Sequence, residues 1–471
     1  MFSIFRTVIL VIILGVLGYV FESSYIYDEG ELILVVTMAM LAISLYFTDN
    51  SKGSVCYHKL LRPSFLLLLG MTIIALQNSV DLLLGNYDVS YQVFYHPNII
   101  VKGVAYASMA IVAFIIGYTN TKHPLSHRVA HSQTTPLTIL ITLSTIFFFL
   151  FLTTVDSNFL SGKTYVESGS IDSSHTNNSE FFLGICYAGV LIQYAINNAG
   201  RGLNFRKFIS GIPKIFLIIF ISYLILRLIS GAREPVIRNI LIFVFSYIYT
   251  SRKQPIKNYV LFIFLFLASF FLSIISIGRG VISEDLSEKY KVGTSIYETR
   301  NSFSPSTTEL AGSQFCDMAA INEFERHNNE FLKGSIQGRY VLVLFIPNRL
   351  LQHIWPIDTS MQGSAYYLTV KEKGYKSNIG LGTTLQTDFY VDFGIVGMLI
   401  CLFLIGVLFK RLDLALYTPP QYAYSLLTTV FLIYISACSF YLSRSAFIPM
   451  LRIPLYIFIL LYINRKVYTN K

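Results

Sequence analysis

Residues 258–277 read NYVLFIFLFLASFFLSIISI, twenty residues without a charge, and residues 389–409 read FYVDFGIVGMLICLFLIGVLF, with Asp392 as the one charge. A helix that crosses the hydrocarbon core of a bilayer needs about 20 mostly apolar residues. Each run meets that requirement, and the mixed-polarity stretch between them, 278–388, does not. Working outward, further apolar runs fall at 4–21, 32–47, 64–84, 99–118, 136–155, 181–198, 212–229, 235–250, 421–442 and 446–463. The expected fold is an all-α polytopic membrane protein of about 12 transmembrane helices with one large loop. Residues 1–277 would hold helices one to nine, 278–388 the loop, and 389–471 the last three helices and a short tail.

Composition agrees. The chain is 54% hydrophobic and 13% charged, where soluble domains carry about a quarter charged residues. The net charge of +10 is scattered through short connections, which argues against nucleic acid as a partner. The segments alternate in sign. One set, beginning with Arg6, holds 18 Lys and Arg against two acids, Asp49 and Asp413. The positive-inside rule makes that set cytoplasmic, with both termini. The loop 278–388 then lies outside, and its residues 279–385 carry 11 basic and 11 acidic residues. Of five cysteines only Cys316 lies in it, so no disulfide framework is visible. Ile4–Val20 has one leading Arg6, no small-residue cleavage site and Glu22 after it, and reads as a retained first span.

Five arginines break the charge rule at the outer face. Arg227 falls near the end of one span, Arg233 in the connection 230–235, Arg238 a turn into the next span, Arg444 in another tight connection, and Arg452 deeper in an apolar run. Glu234 is the one acid adjacent to them in sequence. A charge at a span's centre costs about 2.5–3.5 kcal/mol on insertion scales, and less near its ends. Snorkelling to the headgroups accounts for Arg227 and Arg238. The others call for an anion, and guanidinium forks suit a phosphate or pyrophosphate. Pro235 fits the first turn of a helix whose N-terminus would point at the same anion.

Other residues are less specific. His123, His127 and His131 recur every four residues but sit beside Pro124 in a solvated loop. Asp388 and Asp392 share a helical face at the head of a span, where Asp388 or Thr387 would cap it. His353, Glu323, Glu325 and Asp358 are each candidates for a general base from the loop. Tyr340–Ile346 is too short to span and reads as a segment at the outer interface or a buried part of the loop. Weak helical patterning covers Thr308–Arg326.

Gly231-Ala-Arg233, Phe345-Ile-Pro-Asn-Arg349 running to Trp355-Pro356, the passage Gly380 to Gly397, and Leu442-Ser-Arg444 resemble the Wzy-type polymerases of O-antigen and enterobacterial common antigen. The resemblance covers most of the chain in layout and only these patches in sequence. It implies a GT-C-like glycosyltransferase of the bacterial inner membrane. That enzyme would move a growing glycan from undecaprenyl pyrophosphate onto a new lipid-linked repeat unit, without cofactor or metal. Its partners would be lipid-linked oligosaccharides and a chain-length regulator protein. The resemblance gives working roles to Arg233, Arg349 and Arg444. Position adds Arg452 for charge stabilisation and Arg339, Arg227 and Arg238 for substrate binding. An arginine repeat with Gly sixteen residues on, carried by some members, is absent. The alternatives are an O-antigen ligase, which His327-Asn328 and Gly338 match in part with Val341 out of pattern, and a flippase. Transporters carry paired halves, whereas here the halves are unlike and one large loop falls late.

Overall fold

The computed structural model describes residues 2–48, 61–121, 134–155, 173–199, 201–230, 233–251, 302–326, 330–346, 350–351, 353, 363–374, 381–417 and 424–469. Every regular element among them is helical. In the N-terminal part these are α1 (Phe2–Ser23), α2 (Glu29–Phe47), α3 (Pro63–Leu83), α4 (Ile100–Asn120), α5 (Thr138–Leu152), α6 (Ser173–Asn197), α7 (Phe205–Gly211), α8 (Lys214–Ile229) and α9 (Arg233–Ser251). The long segment contributes α10 (Thr308–Ala311), α11 (Gln314–Ile321) with a π turn at Asn322–Arg326, α12 (Ser335–Phe345) and α13 (Ser364–Lys373). The chain finishes with α14 (Leu385–Tyr417), α15 (Leu426–Leu442), α16 (Phe447–Met450) and α17 (Arg452–Thr469).

Seven helices among the described residues are long and apolar enough to cross a membrane, or eight if α7 and α8, bent by 101°, count as one span. The remaining apolar helices α5 and α15 are shorter, and α9 opens on Arg233, Glu234 and Arg238. The expected span at 258–277 lies outside the described residues. A helix satisfies its own backbone hydrogen bonds, which is why apolar runs in lipid take this form.

Contacts between helix ends show that successive spans reverse direction. At one face the start of α1 meets the end of α4 through Arg6 and Thr119, and the start of α3 meets the end of α14 through Ser64 and Asp413. Asn464 near the end of α17 reaches Pro136 before α5. At the other face lie the end of α3, the starts of α4 and α6, the end of α8 and the long segment, tied together by Asp81–Ser302, Lys102–Glu325 and Arg227–Glu180.

The central contact is between α4 and α14. α4 is buried along almost its entire length. A Cβ on Gly117 would stand 2.0 Å from the Phe403 carbonyl oxygen, and one on Gly406 2.1 Å from that of Phe114. The two backbones touch there, and only glycine allows it.

The long segment is clamped to this pair. Asp81 of α3 accepts from the Ser302 hydroxyl and the Phe303 amide (2.6 and 2.8 Å), and Asn78 donates to the Ala311 carbonyl at 2.9 Å. At the head of α14, Asp317 takes the hydroxyls of Thr384 and Thr387 and the Gln386 amide. α14 begins at Leu385, ahead of the expected Phe389. Neither the Asp388 carboxylate nor the Thr387 hydroxyl caps it: that hydroxyl donates to Asp317, and the Thr387 amide is taken by the Thr384 hydroxyl. Asp388 accepts from Gln337 (3.0 Å) and Ser364 (2.6 Å), and Asp392 caps α12 by accepting from the Ile336 and Gln337 amides. Gly394 breaks α14 at φ 66°, and Leu332 bonds the Val391 carbonyl just before the break. The described part of the segment is thus packed against α3, α4 and α14. Val341, Leu342, Phe345 and Leu350 are exposed along and just beyond α12, as an interfacial segment would be.

Two measurements check this fold. Gly117→Leu and Gly406→Leu are expected to cut the yield of monodisperse detergent-solubilised protein, because a side chain there meets backbone, beyond the 1–3 kcal/mol of ordinary overpacking. Gly15→Leu, with nothing within 4 Å, leaves the yield unchanged. Burial raises the Asp317 carboxyl to about 6 from an ordinary 3.8. The folded state holds that proton more tightly, so its contribution is full below pH ~3.8 and lost as pH rises through about 6. The melting temperature of Asp317→Asn relative to the parent is therefore expected to be higher at pH 7 than at pH 5.

Candidate functional site

α6, α9, α15 and α17 pack in a ring, each against the next and α17 back against α6. A two-lobed cleft opens at the end of this ring that faces the long segment. The first lobe, about 250 Å³, is lined by Glu180, Phe181, Arg227, Arg238, Asn239 and Tyr434 among others. The second, about 320 Å³, is lined by Glu234, Arg238, Tyr434, Cys438, Tyr441 and Ser445, with Pro449 and Met450 of α16. Arg238, Tyr434 and Ile453 border both. Pro235 and Ile242 line the first lobe two turns apart on α9, so the cleft descends about 10 Å into the ring. α12 of the long segment packs against α16, which puts the segment at the edge of the second lobe.

The arginines of this face come together, but not as bare charges. Glu234 is not their one neighbouring acid. Arg227 is buried and grips Glu180 through Nε and a terminal nitrogen, and the Tyr223 hydroxyl donates to the same carboxylate at 2.7 Å. It does not snorkel. Arg238 pairs with Glu234 at 2.6 Å one turn back on α9, and faces the cleft rather than the headgroups. Arg444 stands 3.6 Å from Glu309 of the long segment, both partly exposed. Arg452 is the first residue of α17 and lies within the candidate span Phe447–Tyr468, as its sixth residue. Its guanidinium lies over the Phe181 and Tyr456 rings, 5.5 and 5.4 Å from their centroids, and its Nε donates to the Tyr456 hydroxyl at 3.3 Å. Because Phe181 lines the first lobe, Arg452 stands beside it.

The remaining expected residues distribute as follows. Arg233 opens α9, and its side chain lies outside the described residues, as do Arg349, Asp358 and the three histidines at 123, 127 and 131. Arg339 is buried on α12, where burial lowers its pKa. Of the base candidates, His353 is exposed on the long segment and lines neither lobe. Glu323 is buried in the π turn, paired with Lys371 at 3.0 Å, and Glu325 with Lys102 at 2.9 Å. Both carboxylates lock the long segment down and lie outside the cleft.

Sequence reasoning passed over Glu180, Phe181, Tyr434, Cys438 and Tyr441. Glu180 had a signal, an acid directly before the apolar run 181–198 at the arginines' own face. The α15 residues had none, since Tyr434, Cys438 and Tyr441 sit at ordinary helical spacing in an apolar run.

Chemically, the cleft is a partly enclosed polar pocket between apolar helices. Its guanidinium groups are positioned by carboxylates and rings, and its mouth lies beside the long segment. Such a place suits a ligand with an anionic group and an apolar tail. No family model, no curated protein and no solved structure matches the chain.

The Glu180–Arg227 pair is the cleft's structural brace. Glu180→Ala strands a buried guanidinium, and breaking such a pair costs about 3–5 kcal/mol. The double variant Glu180→Ala/Arg227→Ala is expected to be less destabilised than the two single changes sum to, which a double-mutant cycle of thermal melts measures.

Proposed function

We propose that the chain polymerises oligosaccharide repeat units carried on undecaprenyl pyrophosphate. It transfers the growing glycan to a new repeat unit and releases undecaprenyl pyrophosphate. In this reading it spans a bacterial inner membrane twelve times with both termini in the cytoplasm. The long segment and the cleft then face the periplasm, and the product is O-antigen or a related surface polysaccharide.

One observation carries the reading: an arginine-bordered cleft sits at a helix-ring end, beside the long segment. The reaction moves a glycosyl group and leaves a pyrophosphate, so negative charge grows on the leaving oxygen. Arg238 and Arg452 are the cations suited to meet it. Arg238 borders both lobes, and Arg452 is held by rings rather than by a carboxylate among the described residues. Donors set in advance toward developing charge act without reorganisation, and removing one costs about 10²–10³ in rate. The helix walls suit the polyprenyl tail, and the long segment beside the second lobe suits the sugars. The sequence patches that resemble Wzy-type polymerases flank the same cleft at Arg233 and Leu442–Arg444.

Deletion of the gene is expected to leave lipopolysaccharide cores capped with a single repeat and no ladder on a gel. Arg238→Ala and Arg452→Ala, expressed in that strain, are expected to restore little or no ladder while inserting at parental levels. A full ladder from both variants defeats the assignment of the cleft, and loss of even the single repeat points to ligation or flipping instead.

A further inference from the structure

The polymerisation reading leaves the base unassigned, and the described candidates from the long segment do not line the cleft. The transfer needs one, because the acceptor hydroxyl must lose a proton as it attacks. Two carboxylates among the described residues border the cleft, Glu180 and Glu234. They differ in how they are held. Glu180 is 13% exposed and takes Tyr223 and two nitrogens of Arg227, so its lone pairs are committed. Glu234 is 54% exposed and meets one cation, Arg238, through one oxygen. It borders the second lobe, at the edge where the long segment approaches.

We infer that Glu234 is the general base of the cleft, a proposal that rests on the polymerase reading. The acceptor sugar enters the second lobe and the donor pyrophosphate the first, with Arg238 between them. The acceptor hydroxyl gives its proton to the Glu234 carboxylate as its oxygen bonds to the donor's anomeric carbon. The bond from that carbon to the pyrophosphate oxygen breaks, and pyrophosphate leaves with the electron pair. Arg238 serves both ends. It holds the carboxylate in place before the reaction and turns its charge to the leaving group as the carboxylate is neutralised. Placing base and arginine one turn apart on α9 couples the two events, because the proton that quenches Glu234 frees the guanidinium when the phosphate needs it.

The test uses the full-length protein. The parent, Glu234→Gln and Glu234→Ala are expressed in the deletion strain for the ladder and purified in detergent for binding of undecaprenyl pyrophosphate. Glutamine keeps the size of the side chain and an oxygen for Arg238 but is a far poorer base. General-base catalysis contributes about 10²–10⁴-fold, so both variants are expected to lose the ladder. Glu234→Gln is expected to bind undecaprenyl pyrophosphate at least as tightly as the parent, since a competing negative charge beside Arg238 is gone. A ladder of parental length and yield from either variant overturns the proposal. Loss of binding in Glu234→Gln overturns it too, because Glu234 would then act only by placing Arg238. If undecaprenyl pyrophosphate fails to bind the parent, or the deletion strain keeps its ladder, the polymerase reading itself falls, whatever the variants do.

Discussion

The close approach of α4 and α14 at Gly117 and Gly406 is the contact on which the rest of the structure depends. Backbone against backbone leaves neither helix room to slide there, and the head of α14 is joined to that held part across the break at Gly394. That head carries Asp388 and Asp392, which hold α12 and α13 of the long segment. Its first amide, at Leu385, bonds the Ser443 carbonyl at 3.1 Å and so sets the turn between α15 and α16. Ser445, in that turn, and Pro449, on α16, line the second lobe. A shift at the glycines would therefore reach the cleft's rim along α14, across its break at Gly394, and through the bond from Leu385 to Ser443.

Charge at this face is managed by pairing, with different degrees of commitment. In a poorly solvated site a lone guanidinium is costly, and a carboxylate partner offsets the cost only when the geometry is good. Arg227 and Glu180 meet that standard and are buried together. Arg238 and Glu234 are more exposed and joined at a single oxygen, which leaves the pair able to open. Arg452 has aromatic faces instead, which hold its guanidinium without a neutralising charge. The gradient from locked pair to open pair to ring-held cation separates a brace from a site.

Much of the helical layout was legible because a membrane-length apolar run is a local property. The runs at 4–21, 64–84 and 99–118 reappear as α1, α3 and α4. The arginines were legible as a group because each breaks a charge rule that can be checked residue by residue. Their partners were not. Glu309 lies far from Arg444 in sequence, and Glu180 was grouped with its loop rather than with α6, in which it lies. The roles of Asp388 and Asp392 were hidden for the same reason. Their spacing gave the shared face, but their ligands, Gln337, Ser364 and the first amides of α12, belong to elements that only the fold brings near. Pairing across long stretches of chain leaves no periodic trace in either partner.

The bonds from α3 to the long segment also bear on how the chain is made. Asp81, Gln77 and Asn78 emerge from synthesis more than 220 residues before Ser302, Ser304 and Ala311, which complete them. For that interval Asp81 keeps the Asn86 amide as a donor at 2.7 Å, while its bonds to Ser302 and Phe303 and those of the two amides to the long segment wait to form. The N-terminal helices therefore enter the bilayer as an unfinished receptacle, whose polar rim closes only when the long segment arrives.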